Sequence, residues 1–107
     1  MPRFNKLVRD KIVTIIRTSG GKPVYRILES DKRFKRALLD KILEEALEVR
    51  KAKTPGQTLE ELADLSQLIK ELARLSGLSV AAVERKRKEK LHTHGGFARR
   101  AFLISAR

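Results

Sequence analysis

Eight of the thirteen acidic residues fall between positions 40 and 71, and four of them form two pairs of equal spacing. Glu45 and Glu48 make one pair, in the run Glu44-Glu45-Ala46-Leu47-Glu48; Glu61 and Asp64 make the other, in Glu61-Leu62-Ala63-Asp64. Residues three apart share a helix face, so each pair directs two carboxylates the same way. Like charges in a half-buried place are costly, and the remedies are a raised pKa, a neutralising Lys or Arg, or a bound cation. Four oxygen donors, in a chain without Cys and with no His beside them, suit a hard ion. Mg²⁺ or Mn²⁺ is the natural choice, in octahedral geometry with positions left for water and phosphate.

Two helices must carry these pairs. Asp31 can cap a helix running to about Lys53, with apolar positions at Phe34, Leu38, Leu39, Ile42, Leu43, Ala46, Leu47 and Val49. Thr54-Pro55-Gly56 breaks it, and Thr58 opens the next helix, for which Gly77 is the expected C′ residue. A turn this short makes the two helices antiparallel neighbours, so the acid pairs can face each other. On a wheel of roughly 100° per residue, Glu61 falls inside the stripe of Leu65, Leu68, Leu72 and Leu75, Asp64 at its edge, and Glu45 beside Leu38 and Val49. The same residues have plainer uses. Thr58-x-x-Glu61 spells a capping box, and acids among lysines commonly form a solvated face.

A helix is also expected over residues 6–19, ended by Gly20-Gly21, and a fourth from Ser79 through about Leu91. Residues 22–28 read as a connector, 92–96 as a turn, and 97–104 as a short apolar tail of helix or strand. The expectation is one all-α domain spanning 1–107, a four-helix bundle. A chain of 107 residues buries a modest core, so oligomerisation would help it. No stretch approaches the roughly 18 apolar residues of a membrane span, and the charged start has no signal-like apolar region. A cytoplasmic protein without a membrane partner is expected.

The acid motifs resemble the EExxE and ExxD pattern of the MazG-like, all-α NTP pyrophosphohydrolase superfamily. The opening Asn5-Lys6-Leu7-Val8-Arg9-Asp10-Lys11-Ile12 looks like the start of a compact subgroup that is phosphoribosyl-ATP pyrophosphohydrolase-like, and Gly95-Gly96-Phe97 matches that subgroup's GGF. The resemblance implies a helical bundle working as a homodimer or homotetramer. It implies hydrolysis of a nucleoside triphosphate to monophosphate and pyrophosphate, with house-cleaning of nucleotide pools as a role. Carried over, Glu45, Glu48, Glu61 and Asp64 would be ligands of Mg²⁺ or Mn²⁺. Glu44 would lie outside the ligand set or act as the base positioning the attacking water, and Glu45 would share in catalysis.

Basic side chains would then hold the phosphates. Lys6, Arg9 and Lys11 are the first candidates, Arg9 offering a bidentate fork; Lys86 and Lys90, four apart in the run 85–90, are the second. Phe97 reads as a core plug rather than a base-stacking ring, and His92-x-His94 lacks the further His or Cys of a metal site. The formal net charge is +12, and since residues 40–71 are net −3 with five bases against eight acids, the remainder carries +15. That excess keeps open an alternative, a basic helical nucleic-acid-binding or regulatory module that retains the fold without catalysis. The scarcity of aromatics argues against single-strand stacking.

Overall fold

Three helices begin at a hydroxyl side chain. Ser30, Thr54 and Ser79 lie in extended conformation and accept hydrogen bonds from the backbone N–H of Arg33, Gln57 and Ala82 respectively, which satisfies donors that a helix start leaves open. The resulting helices are α2 (Asp31–Lys51), α3 (Pro55–Leu75) and α4 (Val80–His94), preceded by α1 (Ile12–Thr18). The computed structural model describes residues 5–107, and among these it contains no strand.

Several boundaries differ from the sequence expectation. Ser30, not Asp31, caps α2. Pro55 and Gly56 open α3 instead of breaking the chain, because proline suits the first helical position, where its missing N–H is no loss. Thr58 is therefore inside α3, its hydroxyl donating to the Thr54 carbonyl, and the Thr58-x-x-Glu61 capping box does not form. Glu61 is left available. The first helix is confined to residues 12–18, with Leu7 and Val8 ahead of it. Every residue of α1 except Arg17 is β-branched, and its start has no side-chain cap, so its intrinsic propensity is low. α4 continues through His92–His94, expected to be a turn, and stops at Gly95, where φ is +83°. The tail after it is neither helix nor strand.

α2 and α3 pack as an antiparallel hairpin joined by residues 52–54, and α4 packs on α3 alone. The α3–α4 corner closes at Gly77, whose φ of +74° lets its N–H reach the Arg74 carbonyl while Leu78 N–H reaches that of Ala73. The hairpin seam is lined by Phe34, Leu38, Ile42 and Val49 of α2 against Leu65, Leu68, Leu72 and Leu75 of α3. Among the described residues, however, only Leu38 and Ala73 are buried apolar residues, Leu38 completely. α1 packs on no other helix. A second apolar stripe faces outward: Leu39, Leu43 and Leu47 on α2, with Leu59, Leu62 and Ile69 on α3. No helix is long and apolar enough to cross a membrane among the described residues.

Candidate metal centre

Glu45 sits in the α2 stripe at the place where helical spacing from Leu38 and Ile42 would put another apolar side chain. Only 9% of its side chain is exposed. Antiparallel pairing brings the first turns of α3 opposite, and with them Glu61 and Asp64. One carboxylate oxygen from each of Glu45, Glu61 and Asp64 lies within 4.8 Å of the other two. The hairpin thus unites one acid of the first pair with both of the second.

Electrostatics mark this cluster as incomplete. Glu61 Oε2 has no accessible surface and no donor within reach. Two facing carboxylates can bond only if one takes a proton, and the Glu61 carboxyl is accordingly pushed up to about 7. The chief cause is its bond to Glu45, followed by desolvation and the charges of Glu45, Asp64 and Glu48. An orphaned, buried oxygen among carboxylates fits a hard cation by the chemistry of its donors. Glu48 stands one turn along α2 from Glu45, close enough to act on Glu61 through its charge. Its own oxygen turns toward Lys51 at 3.9 Å, and nearly half its side chain is exposed.

Cations of the chain rim the cluster. Arg9 donates to Asp64 at 2.6 Å, and Lys6 to Glu44 at 3.1 Å. The non-helical N-terminal segment is therefore tied across both central helices, which gives Lys6 and Arg9 the positions that phosphate-holding groups would need. Lys41, not singled out from sequence, reaches both Glu44 at 3.4 Å and Glu45 at 3.3 Å. Its spacing of three and four residues ahead of those acids was the available signal. Partial burial pushes the Glu44 carboxyl up, but Lys6 and Lys41 outweigh it and hold the group below the ordinary range.

Other candidates stand elsewhere. Lys11 is exposed at the start of α1. Lys86 is bound to Glu89 at 3.2 Å on α4, and Lys90 lies exposed on the same helix, which does not contact α2. Phe97 is 96% exposed, so it plugs no core; the Gly95-Gly96 turn carries it away from the helix end. His92 and His94 are two apart on a helix, a spacing that turns their rings to different faces, and His94 Nδ1 lies 2.7 Å from the Thr93 hydroxyl. No family model, no curated protein and no solved structure matches the chain.

Proposed function

We propose that this chain is a Mg²⁺- or Mn²⁺-dependent nucleoside triphosphate pyrophosphohydrolase of the MazG-like type, releasing pyrophosphate and a nucleoside monophosphate. The observation that carries the reading is the convergence of Glu45, Glu61 and Asp64 within 4.8 Å around a carboxylate oxygen that has no partner. The two acid motifs of the family resemblance lie on the paired helices that make this cluster.

In this reading Glu45, Glu61 and Asp64 hold the ion, with Glu48 turning in from its exposed position. When bound, the ion supplies positive charge for phosphate oxygens and acidifies water. The chain's own groups supply orientation. Glu44 is a carboxylate of lowered pKa held by Lys6 and Lys41, so it is better suited to accepting a hydrogen bond from the attacking water than to taking its proton. Arg9 and Lys6 sit at the open rim, where their side chains are 58% and 39% exposed, and can turn to the phosphates of an incoming nucleotide. Lys41 stays with Glu45 and offsets part of the charge that the four acids bring together.

The protein works as a homo-oligomer, dimer or tetramer. A folded monomer of 12.2 kDa is expected to expose roughly 6,100 Å², whereas this chain exposes 10235 Å². Its radius of gyration is 17.8 Å, against about 13 Å for a compact domain of this length. The outward stripe of Leu39, Leu43, Leu47, Leu59, Leu62 and Ile69 offers the apolar surface that a second hairpin would cover.

The test is a panel of nucleoside triphosphates assayed for pyrophosphate with and without added Mg²⁺ or Mn²⁺. Release is expected only with the ion, and Glu61→Gln abolishes it while helix content is retained. Absence of release from every nucleotide would remove the enzymatic reading.

A further inference from the structure

We propose that the end of the α2–α3 hairpin remote from its turn, together with α4, forms a surface for double-stranded nucleic acid that holds the phosphate backbone. The first two turns of α2 carry Lys32, Arg33, Lys35 and Arg36, and none of the four makes an ion pair among the described residues. A helix start is the positive end of the macrodipole, where cations are disfavoured. Lys32 and Arg33, in the first turn, oppose the stability of the helix that bears them, with Asp31 the one acid beside them, and an external anion is what the four cations suit. Because α2 and α3 are antiparallel and α4 leaves from the end of α3, the start of α2 and the start of α4 share one end of the molecule, and residues 85–90 follow about 8 to 15 Å along α4 from that end. On α4, Glu84 and Glu89 neutralise Arg87 and Lys86, while Arg85, Lys88 and Lys90 make no ion pair among the described residues, Lys88 acting on Glu84 through its charge alone. Arg26 and Arg33, with Glu29 between them in sequence, line a shallow concavity of about 280 Å³ at the same end.

The acid cluster does not cancel this charge. Glu45 lies nine residues beyond Arg36, about 13 Å along the helix, farther than the roughly 8 Å over which charge persists at physiological salt. Partner chemistry follows from what the surface lacks. Residues 84–90 of α4 contain no apolar side chain, and the exposed Val80, Val83 and Leu91 stand on either side of that run, so no apolar face accompanies the cations into a membrane. The start of α2 carries one ring, Phe34, half-buried in the hairpin seam, and the rings of α4 are His92 and His94 in its last turn; Tyr25 and Phe97 are exposed outside both cationic runs, so no exposed ring stands among the cations to stack single-stranded bases. Phosphates displayed along a rigid duplex remain.

The test uses the full chain and a fluorescent 20-base-pair duplex of arbitrary sequence, followed by anisotropy as NaCl is varied. Seven cations without an ion pair predict a plot of log affinity against log salt with a slope of about −6. Replacing Lys32, Arg33, Lys35 and Arg36 together with Gln reduces the slope by about 3 to 4 and weakens binding at 150 mM on the order of a hundredfold or more. These exposed substitutions relieve the dipole conflict, and circular dichroism verifies that the helices persist. A matched variant, Lys53→Gln with Arg99→Gln, Arg100→Gln and Arg107→Gln, removes the same charge elsewhere and keeps most of the affinity. Equal losses in the two variants would overturn the proposal in favour of diffuse charge. Preference for a single strand, or for anionic phosphatidylserine vesicles over duplex, would overturn it as well.

Discussion

Binding of Mn²⁺ should expel a proton, in an amount set by Glu61. With its carboxyl near 7, the metal-free chain carries this proton on about 97% of molecules at pH 5.5, about half at pH 7 and about 3% at pH 8.5. A cation ligated by Glu61 must displace it. Proton release is therefore expected to be close to one per site at pH 5.5, about one half at pH 7 and almost none at pH 8.5. Apparent affinity should rise about tenfold per pH unit below 7 and level off above it. The stability of the metal-free protein runs the other way. A carboxyl raised above its ordinary 4.5 contributes stability that is fully present below that value and lost as pH climbs through about 7. The metal-free melting temperature should fall between pH 5.5 and 8.5, and saturating Mn²⁺ should reverse the trend. Calorimetric titration in buffers of different ionisation enthalpy measures the protons directly. Glu61→Gln should flatten both profiles. Equal Mn²⁺ affinity at pH 5.5 and 8.5, with no proton released at either, would refute the reasoning.

The rim cations give a second test: Arg9→Gln should tighten Mn²⁺ binding several-fold, because Arg9 competes for Asp64, yet raise KM for the nucleotide at least tenfold, and a purely structural ion pair would not move the two in opposite senses. Leu43→Glu with Leu47→Glu should lower the sedimentation mass and make the melting temperature insensitive to protein concentration, since the side chains replaced are 65% and 56% exposed in a single chain. Loss of the α3 cap in Thr54→Ala should cost about 1 kcal/mol by denaturant unfolding, whereas Thr58→Ala, which removes only a hydroxyl bonded back to the Thr54 carbonyl, should cost less. Acidification should separately weaken the Lys6–Glu44–Lys41 group. The Glu44 carboxyl is lowered, so its contribution is present above its ordinary 4.5 and disappears as pH falls through its folded value.

Local order was legible because it depends on neighbours in sequence. Ser79 as a cap, Gly77 as the residue of positive φ, and the wheel positions of Glu61 and Asp64 follow from spacing and backbone sterics alone, and α2 to α4 lie where that spacing puts them, within a few residues. The errors were also local in origin. Thr54 and Thr58 both read as caps four residues apart, and the proline between them decides for the first only when its fit at N1 is weighed. The β-branched run of α1 shortened a helix that apolar periodicity alone extends.

Tertiary packing decided what the acids do. Periodicity put Glu45 at the margin of a stripe, but the pairing of α2 with α3 brings it beside Glu61 and Asp64 in a buried position, while Glu48 stays nearly half exposed. The contacts of Lys6 and Arg9 span 38 and 55 residues, separations for which sequence carries no register. Charge type and helix face are properties of the chain itself, whereas the distance between two carboxylates depends on how closely two helices approach, and that is set by side chains far apart in sequence meeting in one core.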